Sequence, residues 1–305
     1  MIRVIVLGSG AAIPTKSRNC ASVAIQYNGE IILFDCGEGT QRQLIKAGKS
    51  IMKVTKIFIT HLHGDHIFGI PGLFHSMSLM HREKPIDVYG PRGIQKFIDF
   101  ITSEENFFHK TFDINVHEIE GEKAIVCETD MYRVEALKVD HSIPTYAYAF
   151  IERDRPGKFL VSKAIELGIP RGKLWGKLQR GKAVKLLNGR VITPDMVLGP
   201  PRRGKKIVYT GDTRFTEALI DFAKEADLLI HDSTFDESLS EKAREYFHST
   251  CTEAAEIAKR ANVKKLMLIH VSNRYEKNPE LLVEQARKIF ENTILAKDLM
   301  VIELK

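Results

Sequence analysis

Thr60-His61-Leu62-His63-Gly64-Asp65-His66 puts three imidazoles and a carboxylate within one short stretch. The preceding Lys56-Ile57-Phe58-Ile59-Thr60 alternates in hydropathy and is rich in β-formers, which predicts a strand whose polar end carries the cluster. On extended backbone His61 and His63, two apart, point the same way, while Asp65 and His66, beyond the permissive Gly64, turn toward a second point. The pattern predicts a pair of metal ions sharing one turn. Neutral imidazole and carboxylate suit Zn²⁺, and the carboxylate also admits Mn²⁺ or Fe²⁺. A lone histidine is ordinarily a surface or satisfied core residue, so His75 and His81 are read as packing or surface groups. His109 and His117 lack acidic or histidine neighbours in a comparable turn and are left out of the site.

At 305 residues and 34.6 kDa the chain is long enough for one large α/β domain, or one domain with an insertion. Its 44% hydrophobic and 28% charged content fits a soluble globular protein. Met1 to Leu7 leads into Gly8-Ser9-Gly10 after only a short apolar run, which reads as a first strand and not a signal peptide. No segment is long and apolar enough to span a bilayer. Cys20, Cys36, Cys127 and Cys251 are widely spaced and form no Cys-x-x-Cys pair, so a reducing cytoplasm is expected. The net charge of +6 is unevenly placed: residues 153–206 carry fifteen Lys or Arg against Asp154, Glu166 and Asp195, whereas the remainder carries 30 basic and 36 acidic residues. A mildly acidic body with one basic insertion points to a polyanionic partner, because Gly, Pro and Trp175 interrupt any regular helix that would make the charge a mere solvated face.

Strands are expected at 2–7, 21–27 and 30–35, with Asn28-Gly29 as a hairpin turn. Between the first two lies Pro14-Thr15-Lys16-Ser17-Arg18-Asn19, where two cations and an amide are able to grip phosphate or a base edge; a solvated loop is the alternative. Asp35, at a strand end before a helix through 41–44, is placed to hold a ligating imidazole from behind. Further on, a helix over 68–80, a strand at 86–89, a helix over 93–102 and strands at 113–119 and 131–140 are expected, the last delivering His141. The basic insertion from 153 to 205 has hardly the composition of a packed core, and is expected to be a projecting, mobile arm with Gly199-Pro200-Pro201 as its return hinge. The sheet resumes at Lys206 and delivers Gly211-Asp212-Thr213, a small residue beside a carboxylate. A strand at 227–230 ends in His231-Asp232-Ser233-Thr234, and helices near 238–246 and 251–262 flank His248-Ser249-Thr250, with Ser249 or Thr250 as cap. A strand at 265–269 ends in His270, before a helix over 279–290 and a last strand at 299–304.

The spacing His-x-His-x-Asp-His resembles the signature of the metallo-β-lactamase fold, an αββα sandwich of two sheets with metals at the strand ends. Collecting the strand-end residues gives seven ligands: His61, His63 and His141 for one ion, Asp65, His66 and His270 for the other, and Asp212 between them. Paired divalent ions favour phosphate esters, although this fold alone hosts many chemistries. The whole chain is further similar to the short-form tRNase Z family. The match runs in order through Gly8-Ser9-Gly10 to Pro14, the Lys16-x-Arg18-Asn19 loop, Asp35 to Gln41, the metal motif, Gly168-x-Pro170 in the basic arm, Gly211-Asp212-Thr213, His231 to Thr234, His248-Ser249-Thr250 and His270 to Tyr275.

That resemblance implies a homodimeric, zinc-dependent endoribonuclease with two ions per subunit that removes the 3′ trailer of precursor tRNA after the discriminator nucleotide. It implies that His248 gives a proton to the leaving 3′ oxygen and that Asp232 polarises His248, although the family usually carries Glu at the place of Asp232; Asp65, read from the metal site itself, is also placed to orient the attacking hydroxide. It also implies RNA contacts at Lys16, Arg18, Asn19, Gly168, Pro170 and Arg274, and a flexible arm that holds the tRNA elbow. Two other classes fit parts of the pattern: a phosphodiesterase or arylsulfatase of the same fold acting on small esters, and a non-catalytic RNA-binding module.

Overall fold

Two seven-stranded sheets, formed by strands drawn from nearly the whole length of the chain, lie in a computed structural model that describes residues 1–103 and 110–305. His109 lies outside the described residues. The first sheet contains β1 (Ile2–Gly8), β2 (Ser22–Tyr27), β3 (Glu30–Phe34), β4 (Val54–Phe58), β5 (Ile86–Pro91) and β6 (Ile114–Ile119), with β16 (Val301–Leu304) beside β1. The second contains β7 (Lys123–Glu128), β8 (Tyr132–Val139), β9 (Thr145–Glu152), β12 (Lys206–Tyr209), β13 (Leu228–Asp232), β14 (Leu266–Ile269) and β15 (Thr293–Leu295). The order in the second is β15-β14-β13-β12-β9-β8-β7. In both, one run is parallel: β3 through β6 in the first, β12 through β15 in the second. Parallel strands bring several carboxyl ends to one edge, which is where such sheets place their chemistry.

The β2–β3 hairpin turns at Asn28 and Gly29, with φ of 47° and 88°, as a two-residue primed turn requires. Alternation then sorts the side chains. Ile31, Leu33, Ile57 and Ile59 face Leu44 of α1 (Thr40–Lys46), Leu73, Phe74 and Met77 of α3 (Gly69–Leu79) and Ile94 and Ile98 of α4 (Ile94–Thr102). Phe34 and Phe58, one register step away, face the opposite sheet, where Tyr148 and Tyr209 stand with ring centroids 5.4–6.2 Å distant. On the second sheet α9 (Cys251–Arg260) packs over β13 and β14, flanked by α7 (Glu217–Ala223) and α10 (Glu280–Arg287). Helix, sheet, sheet, helix is the αββα order expected from the metal motif. Thr250 caps α9 in a reciprocal box with Glu253, which leaves Ser249 free to donate to Thr213 O at 2.6 Å. No helix among the described residues is long and apolar enough to cross a membrane.

The chain divides into two compact units, one of residues 1–128, 133–150 and 206–305, the other of 129–132 and 151–205. The second unit differs from its sequence reading. It holds α5 (Val161–Glu166), α6 (Lys173–Gln179) and a small hairpin of β10 (Val184–Lys185) and β11 (Val191–Ile192). Ala164, Ile169, Leu178, Val184, Ile192 and Val197 are buried together, with Phe159, Leu174 and Trp175 packed against them. The Trp175 indole donates to Ile169 O at 3.0 Å. The basic insertion therefore has a core of its own. Its entering and leaving strands run antiparallel, bridging Arg155 to Arg202 and Phe159 to Leu198, so Gly199-Pro200-Pro201 lies within a paired stem.

Candidate metal centre

Four imidazoles converge because each is tethered through its Nδ1. Asp35, completely buried at the end of β3 in left-handed backbone (φ 57°), accepts from His66 Nδ1 at 2.7 Å, from the Thr60 hydroxyl and from the Tyr209 hydroxyl. The Thr60 hydroxyl, donating to Asp35, is left to accept from His61 Nδ1 at 2.9 Å. Phe247 O accepts from His141 Nδ1 at 2.9 Å, and the Thr234 hydroxyl, itself donating to Asp232 Oδ1, accepts from His270 Nδ1 at 2.8 Å. Each tether occupies Nδ1 and directs Nε2 into the centre, so the neutral ring offers that nitrogen as a ligand. His63 alone presents Nδ1, 3.0 Å from His61 Nε2 and 3.3 Å from His141 Nε2. Nitrogens bound to a tetrahedral Zn²⁺ at ~2.0–2.1 Å stand roughly 3.3 Å apart, so this spacing fits an ion.

Asp212 lies between two groups. Its Oδ2 is 3.6 Å from His61 Nε2, 3.4 Å from His66 Nε2 and 3.3 Å from His270 Nε2. Asp65 Oδ2 is 3.4 Å from His66 Nε2 and 3.5 Å from His270 Nε2, and accepts the Ala12 N–H. His61, His63, His141 and Asp212 form one cluster of metal-ligating atoms; Asp65, His66 and His270 form another. The buried His66 Nε2 and Asp212 Oδ1 have no hydrogen-bond partner. Buried polar atoms are rarely left so, and a cation satisfies both. The donor set therefore fits bound metal.

The electrostatics agree. Burial drives His61, His63 and His141 below the ordinary histidine value, leaving them neutral as ligation requires. Burial opposes ionisation of Asp212 too, but the charges of His270 and His66 overrule it and hold the carboxyl well below its usual range. His66 is held well above its ordinary value: burial disfavours its charge, and Asp212 and Asp35 on either side more than compensate. A proton thus sits where a cation is wanted, and metal binding there releases it.

Gly64 and Gly211 shape the turns. Gly64 begins α2 (Gly64–Ile67) in ordinary helical backbone, so its use is room and not the conformational licence read from the sequence: a Cβ would stand 2.8 Å from Phe68 Cδ2. Gly211 needs both, with φ of 60° and a Cβ position 2.7 Å from Thr60 Cβ.

Beside the cluster, His248 Nδ1 donates to Asp232 Oδ2 at 2.8 Å. Burial depresses this imidazole, but the Asp232 charge and hydrogen bond carry it up to about 9. Asp232 is fully engaged, Oδ1 accepting from Thr234 N and Oγ1, Oδ2 from Thr213 N and His248, so no lone pair is left for an ion. A cavity of about 320 Å³ opens in front, lined by His248, His270, Phe235, Tyr246, Lys242 and Arg274. Arg274 is exposed and lies over the Phe235 ring at 4.9 Å.

The other predicted contacts divide. Lys16 is exposed, but Arg18 is only 6% exposed: its Nη1 donates to Ser9 Oγ and Ala296 O, both at 2.7 Å, and it braces the loop from inside. Asn19 likewise donates to Glu38 O and, through its backbone, to Asp298. The phosphate grip read from Arg18 is thus corrected, because a guanidinium bonded to two buried oxygens cannot reach a ligand. Gly168 and Pro170 line a groove within the basic unit, beside Leu174 and Lys185. His75 and His81 are exposed, His117 stacks on Tyr89, and His231 is buried with Nδ1 on Asp232 O. Sequence reasoning missed Thr60 and Thr234, whose only signal was a hydroxyl adjoining a functional residue, and Phe235, Lys242 and Tyr246, which carry none.

Comparison with known proteins gives the family of the chain. A family model described as Anti-Pycsar protein Apyc1 matches residues 2–154, and one described as Beta-lactamase superfamily domain matches 193–271. Ribonuclease Z of Methanothermobacter thermautotrophicus is 50% identical over 305 residues, covering 100% of this chain and 97% of the relative. Ribonuclease Z of Geobacillus kaustophilus is 40% identical, covering 97% of each. Among solved structures, human tRNase Z, short form, superposes with a TM-score of 0.73 at 31% identity over 99% of both chains. The metallo-β-lactamase fold protein YhfI of Bacillus subtilis, 19% identical over 99% of this chain and 98% of its own, gives 0.70 and attests to the fold alone. Similar from end to end to proteins of that name in an archaeon and a bacterium, the chain belongs to the ribonuclease Z family, on the metallo-β-lactamase fold.

Proposed function

We propose that the protein cuts precursor tRNA after the discriminator nucleotide, leaving a 3′-hydroxyl on the tRNA and a 5′-phosphate on the trailer. The observation that carries this reading is a set of converging metal-ligating side chains next to a separate, carboxylate-backed imidazole on one cleft. His61, His63 and His141 would hold one Zn²⁺, Asp65, His66 and His270 a second, and Asp212 both; Mn²⁺ or Fe²⁺ suits the same donors. Bound there, the ions supply Lewis acidity that lowers the pKa of water and offsets charge on phosphoryl oxygens.

The side chains divide the remaining work. Asp65, fixed by the Ala12 N–H, orients the incoming water, which gives up a proton to solvent, for attack on phosphorus opposite the O3′ leaving group. As the P–O3′ bond breaks, His248 gives its Nε2 proton to O3′, and Asp232 on Nδ1 stabilises the imidazole in its charged form and in the donating orientation. Arg274 and Lys242, both lining the cleft, supply positive charge for flanking phosphates, and exposed Lys16 reaches the acceptor end. The basic unit of residues 151–205 grips the tRNA body, by phosphate contact and shape more than by base reading. A homodimer, in which one subunit's arm holds substrate cut by its partner, completes the proposal. Four free, buried cysteines suit a reducing cytoplasm.

Incubating the purified protein with a 3′-extended tRNA, with and without chelator, tests this reading directly. Cleavage is expected at the discriminator, with a 3′-hydroxyl and a 5′-phosphate as new ends. Chelator should abolish it and added Zn²⁺ or Mn²⁺ restore it. Cleavage indifferent to chelator, or ends mapped elsewhere, would overturn it.

Deleting residues 155–200 separates this reading from a small-ester hydrolase. Because those residues bury a core among themselves, the deletion is expected to abolish cleavage of precursor tRNA while hydrolysis of bis(p-nitrophenyl) phosphate persists. Undiminished tRNA cleavage by the deleted protein would contradict a gripping role. In the intact protein KM for the tRNA should rise steeply with salt, since neutralised phosphates release counterions.

A further inference from the structure

Arg214 follows the Gly211-Asp212-Thr213 turn and has no role in the scheme above. Its guanidinium grips Asp140 through two parallel bonds, Nε to Oδ2 and Nη2 to Oδ1, each 2.9 Å. Its backbone N–H donates to Asp140 O at 2.9 Å, and its flat face lies 4.2 Å from the centroid of the Phe247 ring. Both neighbours are significant for what stands next to them. Asp140 precedes His141 and Phe247 precedes His248, while the Phe247 carbonyl is the acceptor that tethers His141 Nδ1.

Phe247 is also conformationally out of place. It follows the end of α8 (Ser240–Glu245) and its cap Tyr246, where His248 N–H turns back to Ala243 O at 2.9 Å. That is the position at which a helix commonly ends on a left-handed glycine. Here an aromatic residue takes φ of 59°, a conformation that costs a bulky side chain strain. A glycine would relieve the backbone but offer nothing for a guanidinium to lie on.

We propose that Arg214 is a positioning residue: clamping Asp140 and stacking on Phe247, it holds the Phe247 carbonyl against His141 Nδ1 and so keeps His141 and His248 in one register. The inference rests on the reading of His141 as a ligand and His248 as proton donor. The fork is partly exposed, with a third of the Arg214 side chain and nearly half of Asp140 in solvent. Pairs so placed contribute little to stability. What a planar, bidentate contact supplies is direction.

Full-length Arg214→Ala and Arg214→Lys proteins, loaded with Co²⁺, provide the test, with the visible d–d absorption reporting the geometry of the ligands. For Arg214→Ala we expect a changed Co²⁺ spectrum, metal affinity lower by roughly 10–100-fold, and a similar fall in kcat on 3′-extended tRNA. KM should stay within about two-fold, because no binding contact is lost. Lys keeps the charge without the fork or the flat face and should resemble Ala more than the parent. Phe247→Leu should reproduce the loss, and adding Asp140→Ala to Arg214→Ala should cost nothing more, as expected of two residues acting as one unit. An unchanged spectrum and kcat would overturn the proposal, as would a loss confined to KM, which would make Arg214 an RNA contact. Should Arg214→Ala fail to melt cooperatively, Arg214→Lys and Asp140→Asn carry the same test. If the parent protein neither takes up Co²⁺ nor cuts RNA, the reading of the site itself has failed; if it does both and the variants match it, only this inference falls.

Discussion

Replacing Asp212 with Ala is expected to lower kcat by roughly three orders of magnitude or more and to strip metal from the protein. One carboxylate oxygen stands 3.3–3.6 Å from three ring nitrogens belonging to two ligand groups. Loss of its charge therefore weakens both groups together, where loss of any single imidazole weakens one. Several kcal/mol of charge stabilisation at the reacting phosphoryl group corresponds, at about 1.4 kcal/mol per factor of ten, to a rate loss of that size. Elemental analysis of the purified variant, beside single-turnover rates on 3′-extended tRNA, is the measurement. Asp212→Asn keeps shape without charge and should lie close to Ala. Full metal content with near-parental rates would show that Asp212 merely packs between the histidines.

For His248→Ala the expectation is a fall in kcat of about 10²–10⁴-fold with metal content and KM unchanged. The imidazole is bonded to Asp232 at 2.8 Å and lies 3.3 Å from the Thr234 hydroxyl, neither of them a ligand in this reading, and the shorter bonds that tether the four ligand histidines do not run through it. A general acid works only while protonated. Its value is raised to about 9, so the rate should hold below that pH and decline as pH rises through it. Cations bound next to it would bring that limb to a lower pH. The Ala variant should lack the limb altogether. The deficit should also shrink on an aryl phosphodiester, because p-nitrophenolate leaves without a proton. An equal deficit on both substrates, or loss of metal, would contradict the assignment.

The residues that announced the site did so through spacing. His61, His63, Asp65 and His66 were legible because a strand end with alternating imidazoles has few other uses, and Asp35 because a carboxylate at the neighbouring strand end has an imidazole within reach. What joins them was not legible. Thr60 and Thr234 act as hydroxyl relays between a carboxylate and an imidazole, and threonine is too common in loops to single out. Arg18 was misread because sequence reveals a cation but not the direction it faces, and of its two partners Ala296 lies near the other end of the chain. The core of the basic unit was missed for a related reason. Ile169, Leu178, Val184, Ile192 and Val197 follow neither a helical nor an alternating period, since short helices, turns and two-residue strands bring them together. Strand β7 was also overlooked: Lys123 to Glu128 pairs at a sheet edge, where Ile125 stays exposed and no run of buried residues marks it.

The two sheets contribute their candidate ligands at very different times in the life of the polypeptide. Translation finishes the first parallel run early, with His61, His63, Asp65 and His66 in hand, while Asp212 and His270 come from strands made much later. A growing chain still on the ribosome thus lacks the centre until β14 has emerged and docked. On the reading proposed above, RNA cleavage then waits until most of the protein has been made and folded.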